Sequence, residues 1–119
     1  MSKETIFYTV EFNINNGKLD DFTSLANQCI EAVKSNEPDM KSYEWYFNAE
    51  KTACFVNEYH TSSASFLAHL ENVGPLLGKL LEVSKLARLD VFGNPDDKAT
   101  EALNGLGANI NNHFAGFTR

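Results

Sequence analysis

Twice along the chain a two-residue apolar period gives way to a three-to-four-residue one and then returns. In "TIFYTVEFNI", Ile6, Tyr8, Val10, Phe12 and Ile14 share one side, and Phe7, Thr9, Glu11 and Asn13 share the other. That alternation predicts a strand. From Lys18 to about Ser35 the apolar positions are Leu19, Phe22, Leu25, Ala26, Cys29, Ile30 and Val33, one stripe of an amphipathic helix. "SNEPDM" stops it, because Pro38 disfavours helical backbone at the residue before it. "MKSYEWYFN" and "TACFVNEYH" read as two strands joined by a short hairpin link, "AEK". Tyr43, Trp45 and Phe47 share a face of the first. Cys54, Val56, Glu58 and His60 oppose Phe55, Asn57 and Tyr59 on the second.

The second half repeats the plan. "TSSASFLAHLENV" begins with hydroxyl residues suited to a helix cap and continues with Phe66, Leu67 and Leu70 inward. Gly74 and Pro75 are expected to interrupt it, leaving "LLGKLLEV" as a short second helical piece. "SKLARLDVFG" is a fourth strand. In "NPDDKATEALNGLG", Asn94 can cap a last helix and Pro95 suits its first position. The tail "ANINNHFAGFTR" has no clear period, and Phe114 and Phe117 are expected to pin it to the body. The order β-α-β, β-α-β is the ferredoxin-like split βαβ plan, an α+β fold with four antiparallel strands and helices on one sheet face. Large apolar residues also occupy the other face, which predicts a homodimer with two sheets facing each other.

The chain has 119 residues, 43% of them hydrophobic and 22% charged, and reads as a single domain over 1–119, with about 108–119 an extension. Its formal net charge is -6, with 10 Lys and Arg scattered among 16 Asp and Glu. A duplex nucleic-acid binder needs a basic face, so nucleic acid is excluded as a partner. Anionic membranes are disfavoured on the same ground. No apolar run approaches a membrane span or a signal peptide core, so a soluble, cytoplasmic protein is expected. Cys29 and Cys54 fall in periodic apolar segments and read as buried thiols. There is no H-E-x-x-H, and His60 and His69 lack the i, i+4 spacing of a helical zinc pair. Nor is there a dinucleotide glycine loop or a G-x-S-x-G elbow. Neither a cofactor nor a metal is expected.

"FVNEYHTSSASFLAHL" resembles a signature of the antibiotic biosynthesis monooxygenase family, in which a strand ending in Glu-x-aromatic runs into a helix bearing an Ala-His pair. Glu58, Tyr59 and His60 match the strand end, and Ala68-His69 the helix pair. "VFGNP" is similar to the family's last strand and its exit, and "HFAGFTR" to the extension of some members. The resemblance implies a dimeric α+β barrel. It also implies, for some members, cofactor-free oxidation of quinols or polycyclic phenols by dioxygen. The anthrone-oxidising branch carries an Asn, a Trp four residues on and a Tyr six further. Here those positions hold Val56, His60 and Phe66, or Asn57, Thr61 and Leu67 one register on. The haem-degrading branch has an Asn where this chain has Val10.

The resemblance and the aromatic cluster make His69 the candidate catalytic residue, as a proton or hydrogen-bond partner of a phenolic oxygen. The alternative is a histidine that ties the helix to a strand end. Trp45 and Tyr59 are candidate walls for a small aromatic substrate, or packing residues of a core or interface. Arg88 is a candidate anion site, or half of an ion pair with Asp90. His60 is a further substrate-binding candidate, or a solvated junction residue. Glu58 is a base if buried, or a partner of Arg88 or Lys85. The expected function is a cofactor-independent monooxygenase acting on a quinol or similar phenol. The alternatives are a non-catalytic small-molecule-binding or stress-associated module, and an isomerase or dehydratase of the same fold.

Overall fold

The computed structural model describes residues 4–119. Its elements run β1 (Ile6–Ile14), α1 (Leu19–Asn36), β2 (Ser42–Phe47), β3 (Ala53–His60), α2 (Ser63–Val83), β4 (Ser84–Gly93), α3 (Asp97–Gly105) and β5 (Asn109–Asn111). The sheet order is β2-β3-β1-β4-β5. The first four strands pair antiparallel, which is the split βαβ arrangement. The expected four-strand sheet gains a fifth: part of the patternless tail adds to β4 as β5, in parallel.

All three helices lie over one sheet face. The inner stripe of β1, from Ile6 to Phe12, packs with Phe22, Ala26 and Cys29 of α1, Phe66 and Leu80 of α2, and Ala99 and Leu103 of α3. Each large side chain removed from water there contributes roughly 1.5–3 kcal/mol. Both cysteines are buried, free thiols.

The helices differ from expectation in two places. α2 is one continuous helix of 21 residues through Pro75. Proline supplies no N–H, but Pro75 and Glu71, whose carbonyl loses its donor, lie on the exposed side where water can serve instead. The start of α2 is capped by Ser62, whose hydroxyl accepts from the Ser65 N–H at 3.1 Å. The cap of α3 is Asp96 rather than Asn94, and its carboxylate accepts from the Ala99 N–H at 2.9 Å.

Between Glu11 and Phe12 the register with β4 shifts: Glu11 faces Arg88, but Phe12 faces Leu86. The extra residue, Ala87, is exposed. This bulge turns Leu86, rather than the Ala87 that unbroken alternation from Leu89 and Val91 would put there, to the helix-covered face. β4 ends at Gly93, where φ is +138° and a Cβ would stand 2.7 Å from the Thr5 carbonyl oxygen. Only glycine fits that approach.

The outer sheet face carries Phe7 between Tyr59 and Phe92, with ring centroids 4.7 and 6.0 Å away. Phe114 and Phe117 are not pinned to the body. They are 96% and 80% exposed.

Candidate functional site

The site grows from sheet parity. Glu58 and His60 stand two apart on the inner face of β3. Tyr8 of β1 faces Glu58 across one register and Tyr43 of β2 faces it across the other, so a carboxylate stands between two phenols. His69 descends from α2, and Glu37 caps the C-terminus of α1.

Three donors converge on one oxygen. Glu58 Oε1 accepts from Tyr8 Oη at 2.6 Å, and His69 Nε2 and His60 Nε2 lie 3.0 and 3.2 Å from it. Oε2 is left outside these bonds. His69 Nδ1 in turn meets both oxygens of Glu37, at 2.9 and 3.0 Å. Asn72 steadies Glu37 by donating to its Oε2 at 2.7 Å, and also donates to the Ala32 carbonyl. The result is a buried chain, Glu37–His69–Glu58–Tyr8, with His60 beside it.

Charge follows from this geometry. A carboxylate offers no hydrogen, so a histidine held at both nitrogens by carboxylates donates from both and is an imidazolium. Burial pushes the His69 pKa down, but the hydrogen bonds and charges of Glu37 and Glu58 outweigh it and raise the value to about 9. Burial pushes Glu58 up, yet the hydrogen bonds and charges of His60 and His69 hold it down at about 2. Glu37 is lowered too, burial being outweighed by the bonds from His69 and Asn72. Tyr8 is pushed well above the usual phenol range by burial and by the Glu58 charge. The ground state is therefore two carboxylates, one imidazolium and a neutral Tyr8 phenol.

The chain faces a cavity of about 50 Å³. Tyr8, Tyr43, Trp45, Glu58 and His69 line its polar and aromatic end. The Trp45 indole N–H is buried there without a hydrogen-bond partner, as is Nδ1 of His60.

The sequence candidates separate into two groups. His69 and Trp45 line the cavity. His60, a substrate-binding candidate or a solvated junction residue on the sequence, is buried and bonded to Tyr8 and Glu58, beside the cavity rather than on its wall. Tyr59 lies on the opposite sheet face, stacked near Phe7. Arg88 is exposed on β4 and paired with Asp90, away from Glu58. The sequence reading missed Tyr8, Glu37 and Asn72, while Tyr43, which shares a strand face with Trp45 and reads as a pocket wall or a packing residue, lines the cavity. A signal for Tyr8 was present: it shares an inward parity with Glu58 on neighbouring strands. Glu37 carried none, since it sits in a segment that reads only as a helix stop.

Glu58, His60 and His69 also bring one ligand atom each within 4.8 Å of one another, a set that could hold a metal ion. Doing so would replace the hydrogen bonds that now meet at Glu58 Oε1.

A scan against protein-family models found no match, and a search of curated protein sequences found none. Solved structures do match. MupZ from Pseudomonas fluorescens superposes with a TM-score of 0.85 at 24% identity, over 98% of this chain and 95% of that one. A protein named as a candidate antibiotic biosynthesis monooxygenase from Caulobacter crescentus gives 0.68 at 15% identity, over 78% and 92%. A mutant of SnoaB from Streptomyces nogalater, named a cofactor-independent oxygenase, gives 0.64 at 14% identity, over 78% and 95%. The chain has the fold of the antibiotic biosynthesis monooxygenases. Within that fold, the helix-covered face of the sheet holds the acid–base cluster. Among the described residues no helix is long and apolar enough to cross a membrane.

Proposed function

We propose that this chain is an acid–base enzyme that moves a proton between two atoms of one organic substrate, as an isomerase or dehydratase does. The observation that carries this reading is the pairing of a Glu58 carboxylate, with one oxygen outside its hydrogen bonds, and a His69 imidazolium 3.0 Å from the other oxygen. Glu58 Oε2 takes a proton from the substrate. Tyr8 Oη, His60 Nε2 and His69 Nε2 hold the protons nearest to it, and one of these is given to the substrate oxygen; in a dehydration the C–O bond breaks and that oxygen leaves as water, and the proton held by Glu58 then refills the donor. A carboxylate held near pH 2 is a weak base, so removal and return must be coupled. Wholesale deprotonation of a free phenol is a poor fit to this pair, because His69 already holds its proton at neutral pH.

The second reading is monooxygenation of a quinol or similar phenol with dioxygen, without a cofactor. The name of SnoaB supports it, as do Tyr43 and Trp45 on the cavity wall. Here His69 would hold the phenolic oxygen by hydrogen bonding. One experiment separates the two. The protein is given β-hydroxy ketones in D2O under argon, and reduced quinols in air with an oxygen electrode. Enone product formed without oxygen, with deuterium exchanged into the α-carbon of the remaining β-hydroxy ketone, and both lost in Glu58→Gln, supports the first. Saturable oxygen uptake that drops in His69→Ala supports the second.

We also infer that two copies pair through the outer sheet face, where Phe92 is 47% exposed beside Phe7 and Tyr59.

A further inference from the structure

We propose that Glu58 Oε1, His60 Nε2 and His69 Nε2 form a binding site for one divalent transition-metal ion of the zinc class.

The donor set fits such an ion. Two neutral imidazoles and one carboxylate make up one kind of three-residue zinc site, which keeps a fourth position open. No spacing rule finds them in the sequence, because two ligands come from alternate residues of β3 and the third from α2. The three ligand atoms lie within 4.8 Å of one another, and the two histidine nitrogens are 3.2 and 3.0 Å from Glu58 Oε1. Ligands on a tetrahedral zinc ion stand roughly 3.3–3.5 Å apart, given metal bonds of about 2.0–2.1 Å. Both contacts to the carboxylate are within a few tenths of an ångström of that spacing. The two histidine nitrogens need to close by no more than about 1.5 Å.

The groups behind the ligands are also in place. A metal-bound histidine ordinarily gives its other ring N–H to a carboxylate, which fixes the ring and makes it a stronger ligand. His69 already does this: its Nδ1 meets both oxygens of Glu37, and Asn72 holds Glu37 from the other side. Tyr8 donates to Glu58 Oε1 at 2.6 Å and steadies the ligating carboxylate.

Charge points the same way. The metal-free cluster sets the carboxylates of Glu37 and Glu58 against one imidazolium, so one negative charge is unbalanced in a site removed from water. A divalent ion on neutral histidines balances both carboxylates. On binding, His69 gives its Nε2 proton to solvent and keeps the Nδ1 proton on Glu37. The metal form and the proton form exclude each other, because the ion takes the atoms that carry protons in the acid–base reading. The site itself does not depend on that reading.

The test uses full-length protein freed of metal with a chelator. It is titrated with Zn2+ by calorimetry and followed by NMR of the histidine ring C–H resonances. One Zn2+ per chain should bind with micromolar or tighter affinity. It should shift the resonances of His60 and His69 and leave those of His113, exposed in the tail, in place. Co2+ should give the intense visible absorption of a four-coordinate ion rather than the weak absorption of a hydrated one. Mg2+, which prefers oxygen ligands, should not compete. His69→Ala removes a ligand and should weaken Zn2+ by more than about 100-fold, whereas Glu37→Gln acts from behind the ligand and should weaken it by roughly 10–100-fold. The wild-type resonances locate the site without any variant, which covers the case in which the alanine variant does not fold. No Zn2+ binding, equal competition by Mg2+, or a shift confined to His113 overturns the proposal. The acid–base reading fails separately, by undiminished turnover in metal-free Glu58→Gln. That result would leave the Zn2+ titration of the wild type untouched.

Discussion

Tyr8 and Glu58 are direct partners across the β1–β3 register, and the Tyr8 phenol donates to Glu58 Oε1 at 2.6 Å. The pair belongs to the sheet rather than to a loop, so its geometry is set by strand pairing. Removing the carboxylate leaves Tyr8, His60 and His69 facing a group that cannot balance them. Glu58→Gln is expected to lower turnover by roughly 10²–10⁴-fold, the range for loss of a general base. It is also expected to destabilise the fold by roughly 3–5 kcal/mol, because a buried imidazolium loses one of its two anions. Steady-state rates with the responsive substrate and urea denaturation check the two effects. A variant as stable as the parent would show that Glu58 is not clamping His69.

The same cluster sets a pH window for stability. His69 has a folded pKa of about 9, above its ordinary value, so its contribution is complete below about 6.5 and is lost as pH rises through 9. Glu58 has a folded pKa of about 2, below its ordinary value, so its contribution is complete above about 4.5 and is lost as pH falls through 2. The thermal unfolding temperature should therefore be highest between about pH 4.5 and 6.5. It should decline between pH 7 and 10 by an amount on the order of 3 kcal/mol, counted once for the coupled pair. Calorimetry across pH 3 to 10 tests this. In His69→Asn the alkaline decline should largely disappear.

The strands and helices were legible because their apolar periods were uninterrupted. β1 alternates from Ile6 to Ile14 and is found over those residues. Exceptions arose where tertiary context overrode a local rule. Pro75 reads as a break, yet α2 passes through it because the loss falls on the solvent side. The inward Leu86 was hidden by the bulge, which no residue type announces. His69 was visible through its place after Ala68, and Glu58 through its parity. Glu37 was not, because it reaches His69 from 32 residues away, across a helix end that reads only as a stop signal. Tyr59 illustrates the converse. It is adjacent in sequence to Glu58 and His60, and strand alternation puts it on the opposite face.

Gly93 closes β4 at a φ of +138°, against the Thr5 carbonyl. Gly93→Ala would force a methyl to 2.7 Å from that oxygen and must move β1 or β4. A loss of roughly 1–3 kcal/mol is expected, read by urea denaturation. Gly74→Ala is the control. A Cβ there meets nothing within 4 Å, and alanine favours a helix, so stability should hold or rise by up to about 1 kcal/mol.

The outer sheet face gives an assembly prediction. Phe92, half exposed beside Phe7, belongs to a surface that a second copy would cover. Phe92→Arg places a charge there without entering the core. Wild type is expected to sediment at twice the 13.3 kDa chain mass, and the variant at the chain mass with an unchanged circular dichroism spectrum. A wild type that sediments as a single chain at micromolar concentration would remove the paired-sheet arrangement.

Glu37 is the remaining lever on His69. It touches Nδ1, whereas the cavity and Glu58 lie on the Nε2 side, so its effect on chemistry must pass through the imidazole. Glu37→Gln keeps the shape but replaces an anion with a neutral amide. One of the two charges that raise the His69 pKa is then gone, and the value should fall from about 9 toward the ordinary histidine range. The ring C–H resonances of His69, followed by NMR against pH, report this directly in the folded protein. The alkaline limb of the activity profile should move down by the same interval, because the acid that returns the proton is lost earlier. If the resonance and the limb shift together, Glu37 tunes the acid. If stability drops while the His69 titration stays at about 9, Glu37 is only a tie between α1 and α2.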